Sequence, residues 1–286
     1  MSRITGTTRV AGVIGRPVRH SLSPLIQNAW IGAAGMDAVY VALSPSEDWL
    51  APFVNGCRGG LMAGLNVTLP FKEHALEMAD TASERAWRAG AANLLLFGDD
   101  DQVTADNTDG VGLMAAFAAQ APAFAVAGQA VTVLGAGGAA RGAAAALIRS
   151  GAETVRLVNR TRQRAEQIRD TLGDRVQVFG WDRLSAAFDG ANALINCTSL
   201  GLEGGEALTL SLEGLPAGAV VMDMVYRPLK TPLLAAAEAA GHPIVDGLEM
   251  LIGQARPSFE ALFGQAPPAG VDVRALALAA LGGGDA

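Results

Sequence analysis

The run Val131-Thr132-Val133-Leu134, followed at once by Gly135-Ala136-Gly137-Gly138-Ala139-Ala140-Arg141, leaves few ways for this chain to fold. A short, continuous, β-branched apolar run between turn signals reads as a strand buried on both faces. Such strands belong to parallel sheets covered by helices on both sides. The residues that follow, 139–148, carry a helical pattern. Strand, glycine turn and helix in that order fit G-x-G-x-x-G/A with alanine in the last place. Gly135 permits a tight turn and Gly137 lets backbone approach a pyrophosphate, while the free N–H groups at the helix start face the anion. The cofactor reading therefore covers Gly135, Ala136, Gly137, Gly138 and Ala139. A glycine turn used only for packing is the competing reading; the strand before it and the helix after it favour a dinucleotide.

Apolar runs alternate with helical patterns nearly throughout, the mark of an α/β chain. In the first part, strands are expected at 10–14, 39–43 and 65–68, and a hairpin joins 94–97 to 102–105. A helix over 24–34 has Ser23 as its expected N-cap and Pro24 at the first helical position. This portion mixes parallel and antiparallel pairing. After about Asp109 the pattern becomes regular: helices over 110–120, 139–148 and 162–172, strands over 131–134, 155–158, 193–195 and 220–224. Right-handed crossovers then give a parallel, Rossmann-type sheet. Two further helical patterns, 248–263 and 271–281, close the chain. At roughly 150 residues per domain, two domains are expected. Residues 1–110 would form the first, completed by 247–286, and residues 111–246 the second.

Composition removes other classes. The 28 acidic residues outnumber the 21 basic ones, giving a formal charge of −7, so no nucleic-acid partner is expected. Only Cys57 and Cys197 occur, far apart, which fits a reducing cytoplasm better than a disulfide-stapled secreted domain. His20, His74 and His242 are scattered, so no metal site is expected, and His20 reads as structural. The first nine residues lack an apolar core, and no stretch of about 18 uninterrupted apolar residues exists. Neither a signal peptide nor a membrane partner is expected.

The second strand of the regular part ends at Val158 and runs into Asn159-Arg160-Thr161-Arg162-Gln163-Arg164. An NAD site places an acid here for the ribose 2′-hydroxyl. An acid would repel a 2′-phosphate, whereas a guanidinium binds it through charge-assisted, often bidentate bonds. Cations at a helix start also oppose the macrodipole, so a solvated helix end explains the cluster poorly. The pattern favours NADP, with Asn159, Arg160, Thr161 and Arg164 as contacts.

Four polar patterns end the strands of the first part: Ser21-Leu22-Ser23-Pro24, Asn66 through Lys72, Gly90-Ala91-Ala92-Asn93 and Asn107-Thr108-Asp109-Gly110. Each alone has a bland explanation, with Ser23, Thr68 and Asp109 as caps, Asn93 in a turn and Lys72 on the surface. Together they offer hydroxyl and amide donors, one cation and one carboxylate, an inventory that suits a small polyhydroxy acid. Lys72 and Asp109 form a possible proton-transfer pair.

With these patterns in order over nearly its whole length, the chain resembles the shikimate dehydrogenase family. The family's G-x-P-x-x-H-S-x-S-P stands at 15–24, its N-V-T-x-P-x-K at 66–72 and its N-T-D-G at 107–110. G-A-G-G-A-A-R occupies 135–141 and N-R-T-x-x-R occupies 159–164. Further matches lie at 196–199, 223–228, 231–234 and 247–254. The resemblance implies NADP-dependent interconversion of shikimate and 3-dehydroshikimate by a substrate domain and a Rossmann-type NADP domain. It further implies that Ser21 and Ser23 bind the substrate carboxylate with Tyr226 nearby, and that Thr68, Asn93 and Gln254 bind ring hydroxyls. Lys72 and Asp109 would flank the C3 oxygen, and Thr198, Met224 and Gly247 would join the cofactor contacts. A quinate or aminoshikimate dehydrogenase on the same scaffold, or a non-catalytic NADP-binding module, are the alternatives. A methylene-tetrahydrofolate type of dehydrogenase fits less well, because of the Ser21/Ser23 loop and the Asn107-Thr108-Asp109 stretch. Two departures stand out: Gln27-Asn28 where the family has His-Asn, and Asn93-Leu94 where it has Asn-Thr. The state of assembly, monomer or homodimer, is not legible.

Overall fold

The apolar runs of the first part do form strands, and their directions decide where the polar patterns end up. The computed structural model describes residues 4–202 and 204–282. The chain divides into two units, one built from residues up to Thr108 and from Gln254 onward, the other from Asp109–Gly253. The first unit contains β1 (Arg9–Ile14), α1 (Ser23–Ala33), β2 (Ala38–Leu43), α2 (Glu47–Gly56) and β3 (Gly64–Val67). There follow α3 (Lys72–Glu77), β4 (Thr81–Ala82), α4 (Glu84–Ala89), β5 (Leu94–Phe97) and β6 (Val103–Asp106). The sheet order is β2-β1-β3-β5-β6-β4. Strands β1, β2 and β3 pair in parallel, as do β4 and β6, while β5 runs antiparallel to both β3 and β6. The start of β5 therefore lies on the same sheet edge as the ends of β1, β3 and β6. Ser21, Thr68, Lys72, Asn93 and Thr108 all follow or precede strands at that edge. Beneath them Ile14, Leu65, Val67, Phe71 and Leu95 form a buried core.

The start of α1 corrects the expected cap. Leu22, not Ser23, holds the cap position, and no side chain bonds there. Ser23 is the first helical residue, buried, and its N–H donates to Ser21 Oγ at 3.2 Å. The serine pair thus forms its own local turn, an alternative these residues offer the backbone. Asn28 has a structural role at the sheet border: its Nδ2 donates to Tyr40 O at 2.7 Å and its Oδ1 accepts from Tyr40 N at 3.0 Å. A side-chain amide thereby occupies the outward backbone groups of the edge strand β2.

At the other border Asp106 receives Arg85, the Ser83 hydroxyl and the Asn107 N–H. Burial alone would raise its carboxyl; the bonds from Arg85, Ser83 and Asn107 outweigh this and hold it below the usual range. A depressed carboxylate adds stability above its unfolded pKa and loses it as pH falls through the folded one. Arg85→Ala is therefore expected to cost about 1 kcal/mol at neutral pH. The melting-temperature gap to the parent should close as the pH drops below about 4. A gap that persists at acid pH would assign the loss to packing of the arginine stem.

The second unit contains α5 (Asp109–Gln120), β7 (Ala130–Leu134), α6 (Gly138–Arg149), β8 (Thr154–Val158), α7 (Arg162–Leu172) and β9 (Val176–Phe179). A 3₁₀ turn (Trp181–Arg183), α8 (Leu184–Phe188), β10 (Ala193–Asn196), β11 (Val220–Asp223), α9 (Pro232–Ala239) and β12 (Ile244–Val245) complete its sheet. The order is β12-β11-β10-β7-β8-β9, with every pair parallel. From β7 the chain winds one way to β9 and then the other way from β10. This is the doubly wound order, whose switch point lies at the carboxyl ends of β7 and β10. Ala140, Ala143 and Ala144 of α6 are fully buried, so part of the chain's alanine content serves a thin helix–sheet interface. The tail forms α10 (Gly247–Phe263) and α11 (Val273–Gly282), and the border between the units falls inside α10. Among the described residues no helix is long and apolar enough to cross a membrane.

Candidate active site

In the first unit a buried polar cluster forms where the strands end. Asn93 Oδ1 accepts the Thr108 N–H at 2.8 Å, which fixes its amide. Its Nδ2 then faces Thr108 Oγ1 at 2.9 Å and Gln254 Oε1 at 3.2 Å. Thr108 Oγ1 also lies 3.2 Å from Gln254 Oε1. With Oε1 held by these donors, the Nε2 hydrogens are what Gln254 has left to offer. Asn66 joins from β3: its Nδ2 donates to Asn93 O at 3.1 Å and to Ser258 Oγ at 3.0 Å. Tyr40 closes the chain by donating its hydroxyl to Asn66 Oδ1 at 2.8 Å. Burial pushes the Tyr40 phenol well above its ordinary value, so it stays a donor.

Other candidates of the first unit lie on the turns that follow its strands. Ser21 is half-buried. Thr68 N–H donates to Ile14 O at 2.9 Å, and Thr68 O accepts Phe71 N–H at 3.0 Å, so the turn leads straight into Lys72. Lys72 is the half-buried first residue of α3, and its carbonyl accepts the Ala92 N–H at 2.8 Å, one residue before Asn93. Asp109, 4% exposed, opens the 12-residue α5, where the helix dipole favours a carboxylate. Asp109 and Tyr226, which is half-buried after β11, belong to the second unit. His20, read as structural, is exposed. Of the departures, Gln27 is buried and donates through Nε2 to Ala255 O at 3.3 Å, beside Gln254. Leu94 is fully buried in β5, and the hydroxyl beside Asn93 comes from Thr108 instead. Thr108, Asn66, Tyr40 and Ser258 are not among the site residues expected from the sequence. The first two stand inside quoted motifs, whereas nothing local marks Tyr40 or Ser258.

In the second unit the two turn glycines differ. Gly135, at φ +107°, donates its N–H to Val158 O at 2.8 Å. A Cβ there would stand 3.1 Å from Thr198 Cγ2 and 3.3 Å from Cys197 O, so the chain itself requires this glycine. Gly137 is the cap residue of α6 at φ −90°, ψ −174°, with no side chain bonded to the helix end. Nothing lies within 4 Å of where its Cβ would stand. The fold therefore has no use for the missing side chain, whereas a pyrophosphate on the open helix start does. At the end of β8, Asn159 Nδ2 donates to Thr161 O at 2.8 Å. Arg160, Thr161 and Arg164 are exposed, and the first turn of α7 holds no acid. Arg162 pairs with Glu166 at 2.9 Å, which corrects the reading that the whole basic cluster lacks a helical role. Among the described residues Arg160 and Arg164 have no ion pair. Met224 N–H donates to Asn196 O at 3.0 Å. Gly247 has a packing reason of its own, because a Cβ there would stand 2.3 Å from Met224 O. Residues at the α6 start and the β8 end thus fit NADP on physical grounds. Among the described residues no group of three or more His, Cys, Asp or Glu could hold a metal.

Fold and site define an α/β chain whose second unit carries a dinucleotide-binding sheet. Residues 13–95 match the family described as Shikimate dehydrogenase substrate binding domain, and residues 118–201 match Shikimate / quinate 5-dehydrogenase. A Caulobacter vibrioides protein named Shikimate dehydrogenase (NADP(+)) is 56% identical over 279 residues, 98% of either chain. A Dinoroseobacter shibae protein of the same name is 47% identical over 94% of this chain and 97% of its own. The crystal structure of shikimate 5-dehydrogenase from Thermus thermophilus in complex with NADP(H) and shikimate matches with a TM-score of 0.80 at 34% identity. That match covers 91% of this chain and 95% of the other. The chain belongs to the shikimate dehydrogenase family.

Proposed function

We propose that the chain catalyses the reversible NADPH-dependent reduction of 3-dehydroshikimate to shikimate, a cytoplasmic step of chorismate and aromatic amino-acid biosynthesis. The observation that carries this reading is the joining of Asn93, Thr108 and Gln254 at one sheet edge, in a chain 56% identical to a named NADP-dependent relative. The first unit would hold the substrate and the second the cofactor. The Ser21 and Ser23 hydroxyls bind the ring carboxylate with Tyr226 nearby, and Thr68 and Gln254 bind ring hydroxyls. Asn93 binds a ring hydroxyl with them and also holds the Gln254 carbonyl. Gly135 to Ala139 and the α6 start receive the pyrophosphate, while Arg160 and Arg164, with Asn159 and Thr161, receive the 2′-phosphate.

NADPH, held by the α6 start and the β8 end, would supply the hydride to ring C3. Negative charge then grows on the C3 oxygen; the Lys72 ammonium stabilises it and supplies a proton. Asp109 orients the lysine and polarises the hydroxyl.

Initial rates with shikimate and quinate, each offered NADP⁺ and NAD⁺, test the reading. Shikimate with NADP⁺ far ahead of the other three combinations is the expected result. Comparable quinate rates would instead give the broader quinate/shikimate activity that the matched family description also names. No turnover with any pair, NADP still binding, would leave a binding module. In the same assay Arg160→Ala should weaken NADP by about 10- to 100-fold and leave NAD nearly unchanged. Equal losses for both would remove the arginine from 2′-phosphate recognition.

A further inference from the structure

Behind the cofactor turn lies a buried carboxylate that the reaction does not use. Asp223, at the end of β11, is fully buried. Its Oδ1 accepts Asn196 Nδ2 at 2.9 Å and the Val225 N–H at 3.0 Å, and its Oδ2 accepts the Thr231 hydroxyl at 2.7 Å. A carboxylate can only accept, so Asn196 must turn its amide nitrogen toward it. Leu200 O, 3.2 Å from the same Nδ2, uses the other amide hydrogen. Asn196 Oδ1 is thereby aimed at Thr198, whose N–H lies at 3.0 Å and whose hydroxyl lies at 2.7 Å. The Thr198 hydrogen is consumed in that bond. One Oγ1 lone pair takes the Leu200 N–H at 3.1 Å, which leaves a single lone pair for anything else. Thr198 Cγ2 stands 3.1 Å from the Cβ position of Gly135, at the turn that meets the pyrophosphate.

We propose that Asp223, acting through Asn196, locks the Thr198 hydroxyl as a hydrogen-bond acceptor, so that it receives an N–H or O–H donor of the nicotinamide nucleoside and not a phosphate oxygen. A phosphate at neutral pH offers no hydrogen, and Thr198 has none to give. The nucleoside offers two sources of donor, the carboxamide N–H and the ribose O–H. Asp223 is in this account a positioning residue, and what it supplies is acceptor polarity rather than charge. Asn at 223 can keep an oxygen toward Asn196 and Val225 and turn its amide toward Thr231 Oγ1, which accepts the Leu234 N–H at 3.3 Å and has a second lone pair to offer. Ala at 223 leaves three buried donors without their acceptor.

The inference rests on the NADP reading, and calorimetric titration of the purified protein with NADP⁺ separates the two. Failure of the parent protein to bind NADP⁺ would overturn the cofactor reading itself. Given parental binding, Thr198→Ser should bind NADP⁺ within about twofold of the parent at an unchanged melting temperature, while Thr198→Val should bind about tenfold more weakly and melt somewhat lower, because it also gives up the Asn196 and Leu200 bonds. Asp223→Asn should bind like the parent and Asp223→Ala should weaken like Thr198→Val. The 3-acetylpyridine analogue of NADP⁺, which lacks the amide N–H, separates the sources. Loss of the parent's preference for NADP⁺ over the analogue in Thr198→Val assigns the carboxamide; equal weakening of both assigns the ribose. Parental affinity in Thr198→Val overturns the proposal. So does an Asp223→Asn as weak as Asp223→Ala, since charge would then be the operative property. Should Asp223→Ala fail to fold, the two Thr198 variants and Asp223→Asn still decide.

Discussion

Lys72→Ala is expected to lower turnover by about 10²–10⁴-fold while the Michaelis constant for shikimate stays close to the parent value. The Lys72 carbonyl holds the Ala92 N–H at 2.8 Å, a backbone bond that truncation of the side chain leaves in place. Lysine is also the first residue of a six-residue helix, where alanine is a good substitute. The variant should fold with the Asn93–Thr108–Gln254 cluster intact, so ground-state binding of the ring hydroxyls survives. What disappears, on the proposed mechanism, is the cation that stabilises charge on the C3 oxygen, and an interaction made chiefly in the transition state shows itself in kcat. Lys72→Arg restores the charge but not the proton, because a guanidinium does not deprotonate in this range. It should recover only a small part of the rate. Steady-state kinetics of both variants decide the matter: a raised Michaelis constant with turnover kept would make Lys72 a binding residue instead.

How far the site is legible in the sequence follows from the range of the forces that build it. Strands β7, β10 and β11 are visible because burial on both faces demands an unbroken apolar run, and each of their residues is indeed buried. The two-residue strands β4 and β12 carry no period at all and leave no trace in the pattern. Helix α4 is absent from the expected elements although its signal is local: Ser83 accepts the Ala86 N–H at its start and Gly90 takes the left-handed conformation at its end. The cap rule fails at Ser23 because the neighbouring Ser21 hydroxyl captures its N–H. Within the site, Asn93 and Lys72 can be named because they end motifs beside strands. Ser258 lies 192 positions from Asn66, its hydrogen-bond partner, and only the docking of α10 reveals the pair. A serine in mid-helix has no pattern that announces such a bond. Polarity is equally hidden: Asn196 and Thr198 stand in a visible motif, yet which end of the amide faces which partner is decided by Asp223, 27 positions away.

The second large effect concerns the turn glycines, which one motif treats alike and the structure separates. Gly137→Val should abolish cofactor binding, by about 10²-fold or more in affinity, while the melting temperature stays near that of the parent. The backbone at 137 is extended (φ −90°, ψ −174°), a conformation any residue adopts, and among the described residues nothing beyond its own chain neighbours lies within 4 Å of the new Cβ. That open position belongs to the cap residue of α6, whose free N–H groups are where an anion would sit. Gly135→Ala should do the reverse in kind. At φ +107° an alanine is strained, and its Cβ would press on Thr198 and Cys197 from 3.1 and 3.3 Å. A stability loss of about 1–3 kcal/mol is expected, with cofactor binding weakened through the displaced Thr198 loop. Thermal melts and NADP⁺ titrations of both variants check the pair. If Gly137→Val bound NADP⁺ normally, the helix start could not be the pyrophosphate site. If it melted far below the parent, the glycine would be there for packing after all, and the open Cβ position would say nothing about a ligand.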